Sequence, residues 1–236
     1  MALEGPVAAV VFDVLGTLLD EDRARTDALR AALPELGDRA AEVAGDWGER
    51  VGRAVSAIAA RERPFRGHDE LEQAALAEAL AQAGQALPER RTAELARSVH
   101  RLAPFPDVPP ALQELRAELP VVALTNAGLG QAAAMFSHVG WEWTAVVSAE
   151  SVAAYKPDPR MYRQALEVLG LPAEQVLLVA AHPWDLDAAA GEGLRTAFLD
   201  RTGAGGDRFD LVGPELGALV AALRDQPTSS SRRSRT

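Results

Sequence analysis

Four short stretches of the chain carry side chains able to do chemistry, and each sits at the end of an apolar run. Val10-Val11-Phe12 leads into Asp13, with Gly16-Thr17 just beyond. Val121-Val122-Ala123-Leu124 leads into Thr125-Asn126. Ala154-Tyr155 leads into Lys156-Pro157-Asp158, and the run from Val176 to Val179 leads into Ala180-Ala181-His182-Pro183-Trp184-Asp185. A carboxylate is a competent covalent nucleophile. A neighbouring lysine keeps it ionised and neutralises an anionic substrate. Thr and Asn side chains orient that substrate by hydrogen bonds, and a second carboxylate orients or activates water.

These residues are useful only if the fold brings them together. In open α/β sheets, ligands bind outside the carboxyl ends of parallel strands. Short apolar, β-branched or leucine-rich runs predict strands at residues 7–12, 121–125 and 176–181, a weaker one at 196–199 and a short one at 145–148. Helical segments are predicted between them, at 109–118, 130–138, 159–169 and 187–193. Strands alternating with helices give a parallel sheet covered on both faces, an α/β class of Rossmann-like type. Residues from 21 to about 101 break the alternation, with helices alone at 24–33, 40–62, 70–84 and 89–102. Inserted straight after the first strand, this block is expected to cap the sheet's carboxyl edge. The expected organisation is therefore a core of residues 1–20 and 100–223, a helical cap of 21–99, and a Ser/Arg-rich disordered tail of 224–236. No internal repeat is present.

Composition narrows the function. The chain has 236 residues, 48% of them hydrophobic, enough for one α/β core with an insert. A net charge of −10 gives no electrostatic support to a role on nucleic acid or an anionic membrane. With no cysteine, disulfides, thiolate ligands and thiol nucleophiles are excluded. Neither a signal-peptide pattern nor a bilayer-length apolar run is seen, and a cytoplasmic location is expected.

The ordered motifs D-V-L-G-T (13–17), L-T-N (124–126), Y-K-P-D (155–158) and W-D (184–185) resemble those of the haloacid dehalogenase superfamily. More narrowly, they resemble the type II L-2-haloacid dehalogenases. The resemblance runs from Val7 to Arg201 and includes R-L-A-P-F (101–105) and Tyr162, six residues after Lys156. It implies the fold of that superfamily, a Rossmann-like core with an inserted helical cap. It also implies that Asp13 is the nucleophile and forms an aspartyl ester, which water hydrolyses to release a 2-hydroxy acid. By the same resemblance Thr17 and Tyr162 orient Asp13 and Lys156. Lys156, Thr125 and Asn126 hold substrate groups, and Asp185, with His182, positions the water. Leu15, Trp47 and Trp184 fall at the pocket, and Phe65 is an apolar candidate beside them. The implied substrate is a small carboxylic acid, and relatives of this kind are often homodimers.

Phosphatases of the superfamily carry a second Asp two residues after the nucleophile, and a further acidic magnesium ligand ahead of the last motif. Leu15 and the Ala180-Ala181 pair stand there instead. A hard divalent ion needs oxygen ligands, so the chain is expected to work without metal or other cofactor. Magnesium-dependent phosphoryl transfer is the weaker alternative.

The dehalogenases also carry Trp-Arg on the first long cap helix, where the arginine cradles halide. This chain has Trp47-Gly48, with Arg50 and Arg53 nearby. An arginine at Gly48 is accordingly expected to raise halide release. Gly45, Gly48 and Gly52 share one helix face, which implies either close backbone packing or a hollowed pocket. Arg63, Arg66 and His68 form a basic patch, which is either a solvated loop or a substitute for the missing arginine. The altered positions leave open a second class of function, a catalytically weak homologue that binds or stabilises a partner protein.

Overall fold

The computed structural model describes residues 5–203, 205 and 208–225. The chain opens with strand β1 (Ala9–Phe12), followed by a two-residue strand β2 (Leu19–Asp20). Four helices come next: α1 (Glu21–Ala32), α2 (Arg39–Ala59), α3 (His68–Gln82) and α4 (Glu89–Ala96). The remainder alternates: β3 (Ala103–Pro104), α5 (Val108–Arg116), β4 (Val121–Thr125), α6 (Leu129–Val139), β5 (Ala145–Ser148), α7 (Ala149–Val152), α8 (Pro159–Leu169), β6 (Val176–Ala180), α9 (Pro183–Gly191), β7 (Arg195–Leu199), β8 (Leu211–Gly213) and α10 (Leu216–Arg224).

Six strands form one sheet in the order β5-β4-β1-β6-β7-β8, and every pairing is parallel. Side chains alternate between its faces, as the period of a strand requires. Val10, Phe12, Val121, Ala123, Leu177 and Val179 pack into one buried cluster. Val11, Val122, Leu124, Val176, Leu178 and Ala180 pack into the other. From β1 the chain moves outward to β4 and β5, then returns to the other side for β6 to β8. The reversal puts a crevice at the carboxyl ends of β1, β4 and β6, the usual ligand position in such sheets. Asp13 follows β1 directly.

The helical block leaves and rejoins the core through one ribbon, since β2 pairs antiparallel with β3. Asp20 N-caps α1 by accepting a hydrogen bond from Arg23 N at 3.0 Å. Tyr155 ties the block to the core, donating from its hydroxyl to Arg66 O at 2.8 Å.

Several predicted boundaries shift. The first strand begins at Ala9, not residue 7, and the third ends at Ala180. The last helix of this block stops at Ala96 and tightens into a 3-10 turn. Helix α9 begins at Pro183, four residues before the predicted start, because proline suits a first helical position. That places Asp185 in the first helical turn, where the backbone dipole favours a carboxylate. β8 and α10 were not predicted. β8 has three residues and depends on pairing with β7, whereas the spacing of Leu216, Leu219 and Val220 did carry a helical signal. Arg224 ends α10 and so does not belong to the predicted tail; residues 226–236 of that tail lie outside the described residues.

Candidate active site

Asp13 sits in a tight turn. Its amide donates to Val179 O at 3.0 Å, and the next residues close on themselves through Gly16 N to Leu19 O at 2.9 Å. Gly16 has φ +72°, and a Cβ there would lie 3.0 Å from His182 Nε2. Both backbone and space therefore demand glycine at that position. Thr17 Oγ1 accepts from Ala181 N at 2.9 Å and donates to Asp13 Oδ2 at 2.5 Å, which fixes the carboxylate's rotamer.

Lys156 joins the two carboxylates. Its Nζ donates to Asp13 Oδ1 and to Asp185 Oδ2, each at 2.6 Å, and all three side chains are at most 5% exposed. The lysine is aimed by its own backbone, whose amide donates to Asn126 Oδ1 at 2.7 Å. Tyr162 OH donates to Asp185 Oδ1 at 2.5 Å. On the cavity side, His182 stacks on Trp184, and its Nε2 lies 3.0 Å from Leu15 O and 3.5 Å from Asp13 Oδ2. A carbonyl only accepts, so Nε2 carries the proton.

The electrostatics follow from this packing. Burial pushes the Asp13 carboxyl up, but the charges of Lys156 and His182, with hydrogen bonds from Lys156 and Thr17, hold it below the usual carboxylate range. Asp185 goes the other way: burial and the Asp13 charge outweigh Lys156, and its affinity for a proton is raised. Burial disfavours the ammonium, yet the two carboxylates hold Lys156 above its ordinary value. The result is an ionised Asp13 carboxylate facing a cavity, with a charged lysine behind it.

That cavity, of about 720 Å³, lies between the strand ends and helices α1, α2 and α3. Asp13, Leu15, Asn126, Lys156, His182 and Trp184 line its core side. Gly48, Val51, Gly52 and Val55 of α2 line the other, with Arg25 and His68. Three expected pocket residues are placed elsewhere. Thr125 turns its hydroxyl to the amide of Ala127 at 3.1 Å, bracing the loop after β4. Trp47 is fully buried among the helices and donates from Nε1 to Glu72 O at 3.1 Å. Phe65 stacks on Tyr155 and lines a separate hollow. Asp185 and Tyr162 stand behind Lys156 and reach the cavity only through it.

Sequence reasoning missed Arg25. Its guanidinium stands against Gly48, where a Cβ would be 3.1 Å from Nη1, and lies over the Trp47 ring at 5.4 Å. A side chain at Gly48 would press against that guanidinium, so an arginine there requires Arg25 to give way. Arg50 pairs with Asp46 and Glu78, and Arg53 with Glu49; neither lines the cavity. Of the glycine face, Gly48 and Gly52 border the cavity, and no atom lies near a Cβ at Gly45 or Gly52, so the hollow and not backbone packing explains the stripe. The basic patch divides: Arg66 pairs with Glu70 in solvent, while His68 is buried as the first residue of α3.

A magnesium ion, which some proteins of this fold hold, does not suit these donors. The Lys156 ammonium already occupies the space between the two carboxylates. Among the described residues no group of three acidic, His or Cys side chains converges as a metal site. No described helix is long and apolar enough to cross a membrane.

A family model described as haloacid dehalogenase-like hydrolase matches residues 7–193. An (S)-2-haloacid dehalogenase of Pseudomonas putida is 28% identical over 84% of this chain and 88% of its own length. Among solved structures, a defluorinating L-2-haloacid dehalogenase superposes with TM-score 0.85 at 32% identity, covering 92% of this chain and 95% of that one. The L-2-haloacid dehalogenase of Xanthobacter autotrophicus, solved with chloropropionic acid covalently bound, superposes with TM-score 0.84 at 26% identity, over 94% of this chain and 100% of the other.

Proposed function

Because the chain belongs to the haloacid dehalogenase-like hydrolases, we propose that it cleaves the carbon–halogen bond of (S)-2-haloacids, with Asp13 as covalent nucleophile and no metal ion. The observation that carries this reading is the Lys156 ammonium, 2.6 Å from both Asp13 and Asp185, with Asp13 at the cavity surface. The helical block of residues 21–99 acts as a cap that closes the cavity over the strand ends.

In the first step one Asp13 oxygen attacks C2 of the acid from the side opposite the halogen. A C–O bond forms, the C–X bond breaks, and halide leaves with the bonding electrons, inverting C2. The depressed proton affinity of Asp13 keeps it ionised for this attack. Lys156 and Asn126 face the substrate's carboxylate, and Thr17 holds the nucleophile's rotamer. In the second step water adds to the Asp13 carbonyl carbon and the ester bond to that carbon breaks; one proton of the water passes to the departing alkoxide oxygen and the other to solvent, restoring the Asp13 carboxylate. The 2-hydroxy acid departs with an oxygen that came from Asp13. His182, 3.5 Å from Asp13 Oδ2, orients the water, and Asp185 with Tyr162 positions Lys156 from behind. A hydrophobic residue at Leu15 suits displacement at carbon, where no leaving oxygen needs a proton.

The test is halide release from resolved 2-chloro and 2-bromo acids, with EDTA and with magnesium, beside Asp13→Asn. The expected result is release from the (S) acids unaffected by EDTA and about 10⁴-fold slower in the variant. Release that requires magnesium, or that persists in Asp13→Asn, would overturn the mechanism.

A further inference from the structure

The cavity reaches past the atoms that the displacement needs. Helix α2 presents two adjacent rows to it, Val51, Val55 and Ala59 beside Gly52, Ser56 and Ala60, each row stepping by four residues. Ser56 is the one polar side chain in either row. Pro157, Pro159 and Trp184 line the core side. Trp184 is 45% exposed, a large apolar side chain that meets water unless something in the cavity covers it. The charged pairs at the cavity's border are closed on themselves, Arg25 with Glu21 at 3.2 Å and Arg61 with Asp158 at 3.5 Å.

Gly52 keeps this space open. It stands inside helix α2, where glycine is less stable than alanine. No atom lies within 4 Å of a Cβ at that position, so packing against a neighbour does not require glycine. Nor does a left-handed φ, which Gly52 lacks. What the missing side chain leaves is room between the apolar rows of α2 and Trp184. A short acid does not fill it: a haloacetate has five heavy atoms, roughly 150 Å³ at the ~30 Å³ liquid share of a water-sized group, against about 720 Å³ in the cavity.

We propose that the α2 face from Val51 to Ala60, with Trp184 opposite, is a specificity subsite for an apolar side chain on C2 of the substrate, and that Gly52 sets its depth. This rests on the reading that Asp13 and Lys156 hold the acid end. The preferred substrate is then an acid of the length of a 2-halohexanoate rather than a haloacetate or 2-halopropanoate. Each methylene buried against these walls adds binding in proportion to the apolar area it removes from water.

Equilibrium binding tests this without turnover. Both enantiomers of 2-hydroxypropanoate, 2-hydroxybutanoate, 2-hydroxyhexanoate and 2,6-dihydroxyhexanoate are titrated by calorimetry into the full-length protein and into Gly52→Leu and Trp184→Ala. Affinity should rise about threefold per methylene, about thirtyfold from 2-hydroxypropanoate to 2-hydroxyhexanoate. The dihydroxy acid should bind more weakly than 2-hydroxyhexanoate, because its terminal hydroxyl gives up water for an apolar wall. The gain with chain length should shrink in Gly52→Leu, whose side chain fills the room, and in Trp184→Ala, which removes one wall. That gain is a ratio within each protein, so it does not depend on a variant's overall affinity. A flat series in the unaltered protein, equal or tighter binding of the dihydroxy acid, or a gain that survives both substitutions would overturn the subsite alone. Binding of none of the acids would overturn the anchoring by Asp13 and Lys156 with it. Failure of the halide chemistry would instead show as absent halide release, on which these halogen-free acids do not depend.

Discussion

The two sides of the cavity are built on opposite terms. On the sheet side every charged group is spoken for: Asp13 has Lys156 and Thr17, Lys156 has two carboxylates, and Asp185 has Lys156 and Tyr162. On the helical side the polar cluster of Arg25, His68 and Glu72 keeps three atoms without a protein partner, and two glycines leave the wall hollow. The first arrangement suits the displacement proposed above, because a preorganised charge pattern costs no rearrangement when bonds change. The second leaves open space beside Gly52 in the cavity wall. Strand ends in a parallel sheet hold their loops rigidly, whereas a helical insert can change its lining without disturbing that geometry.

If the sheet side is a satisfied charge network, removing its centre should do the most harm. Lys156→Met leaves Asp13 and Asp185 buried without a counter-charge, so stability should fall by roughly 3–5 kcal/mol, read by urea unfolding, and halide release should vanish. A variant as stable as wild type would mean that the two carboxylates are not both ionised.

The helical side should respond to acid instead. His68 has a pKa lowered from 6.5 to about 4 by burial, so in that window the unfolded chain binds the proton and the folded chain does not. Stability therefore falls as pH drops from 6.5 toward 4, by about 3 kcal/mol from this group. In His68→Phe, unfolding curves across the same range should lose that component; an unchanged pH slope would place the effect on other groups.

Gly48→Arg sharpens the contrast further. The new Cβ would lie 3.1 Å from Arg25 Nη1, and the guanidinium would have to shift, so destabilisation of about 1–3 kcal/mol from overpacking is expected, with no gain in halide release. A faster enzyme would mean that Arg25 yields its place readily. Gly52→Ala has the smallest expected effect and the opposite sign. Nothing lies within 4 Å of its Cβ, so helix α2 should gain about 0.5–1 kcal/mol, seen as a raised Tm, while the cavity narrows slightly.

The same division explains what could be read from the sequence. Asp13, Thr17, Asn126, Lys156, Tyr162 and Asp185 stand in short contiguous motifs at strand ends, and the parallel sheet brings such ends together whatever the details of packing. Arg25 lies in E-D-R-A-R, where Glu21 four residues earlier makes it look like a solvated helix pair. Its burial comes from docking against Glu72, 47 residues away, which no local pattern encodes. Resemblance points Trp47 to the pocket and apolar character points Phe65 there, but Trp47 hydrogen-bonds to Glu72 O and Phe65 stacks on Tyr155 instead. Thr125 was placed at the right strand end, and its hydroxyl went to the loop's own backbone.

The measurement that bears most directly on Asp13 is a single turnover in H₂¹⁸O, with protein in excess over an (S)-2-haloacid, followed by mass analysis of the peptide containing Asp13. If Asp13 forms the ester and water attacks its carbonyl carbon, the label appears in the Asp13 carboxylate and the 2-hydroxy acid stays unlabelled. Label in the product with none in the peptide would mean that water attacks C2 directly, and the nucleophilic role of Asp13 would be wrong.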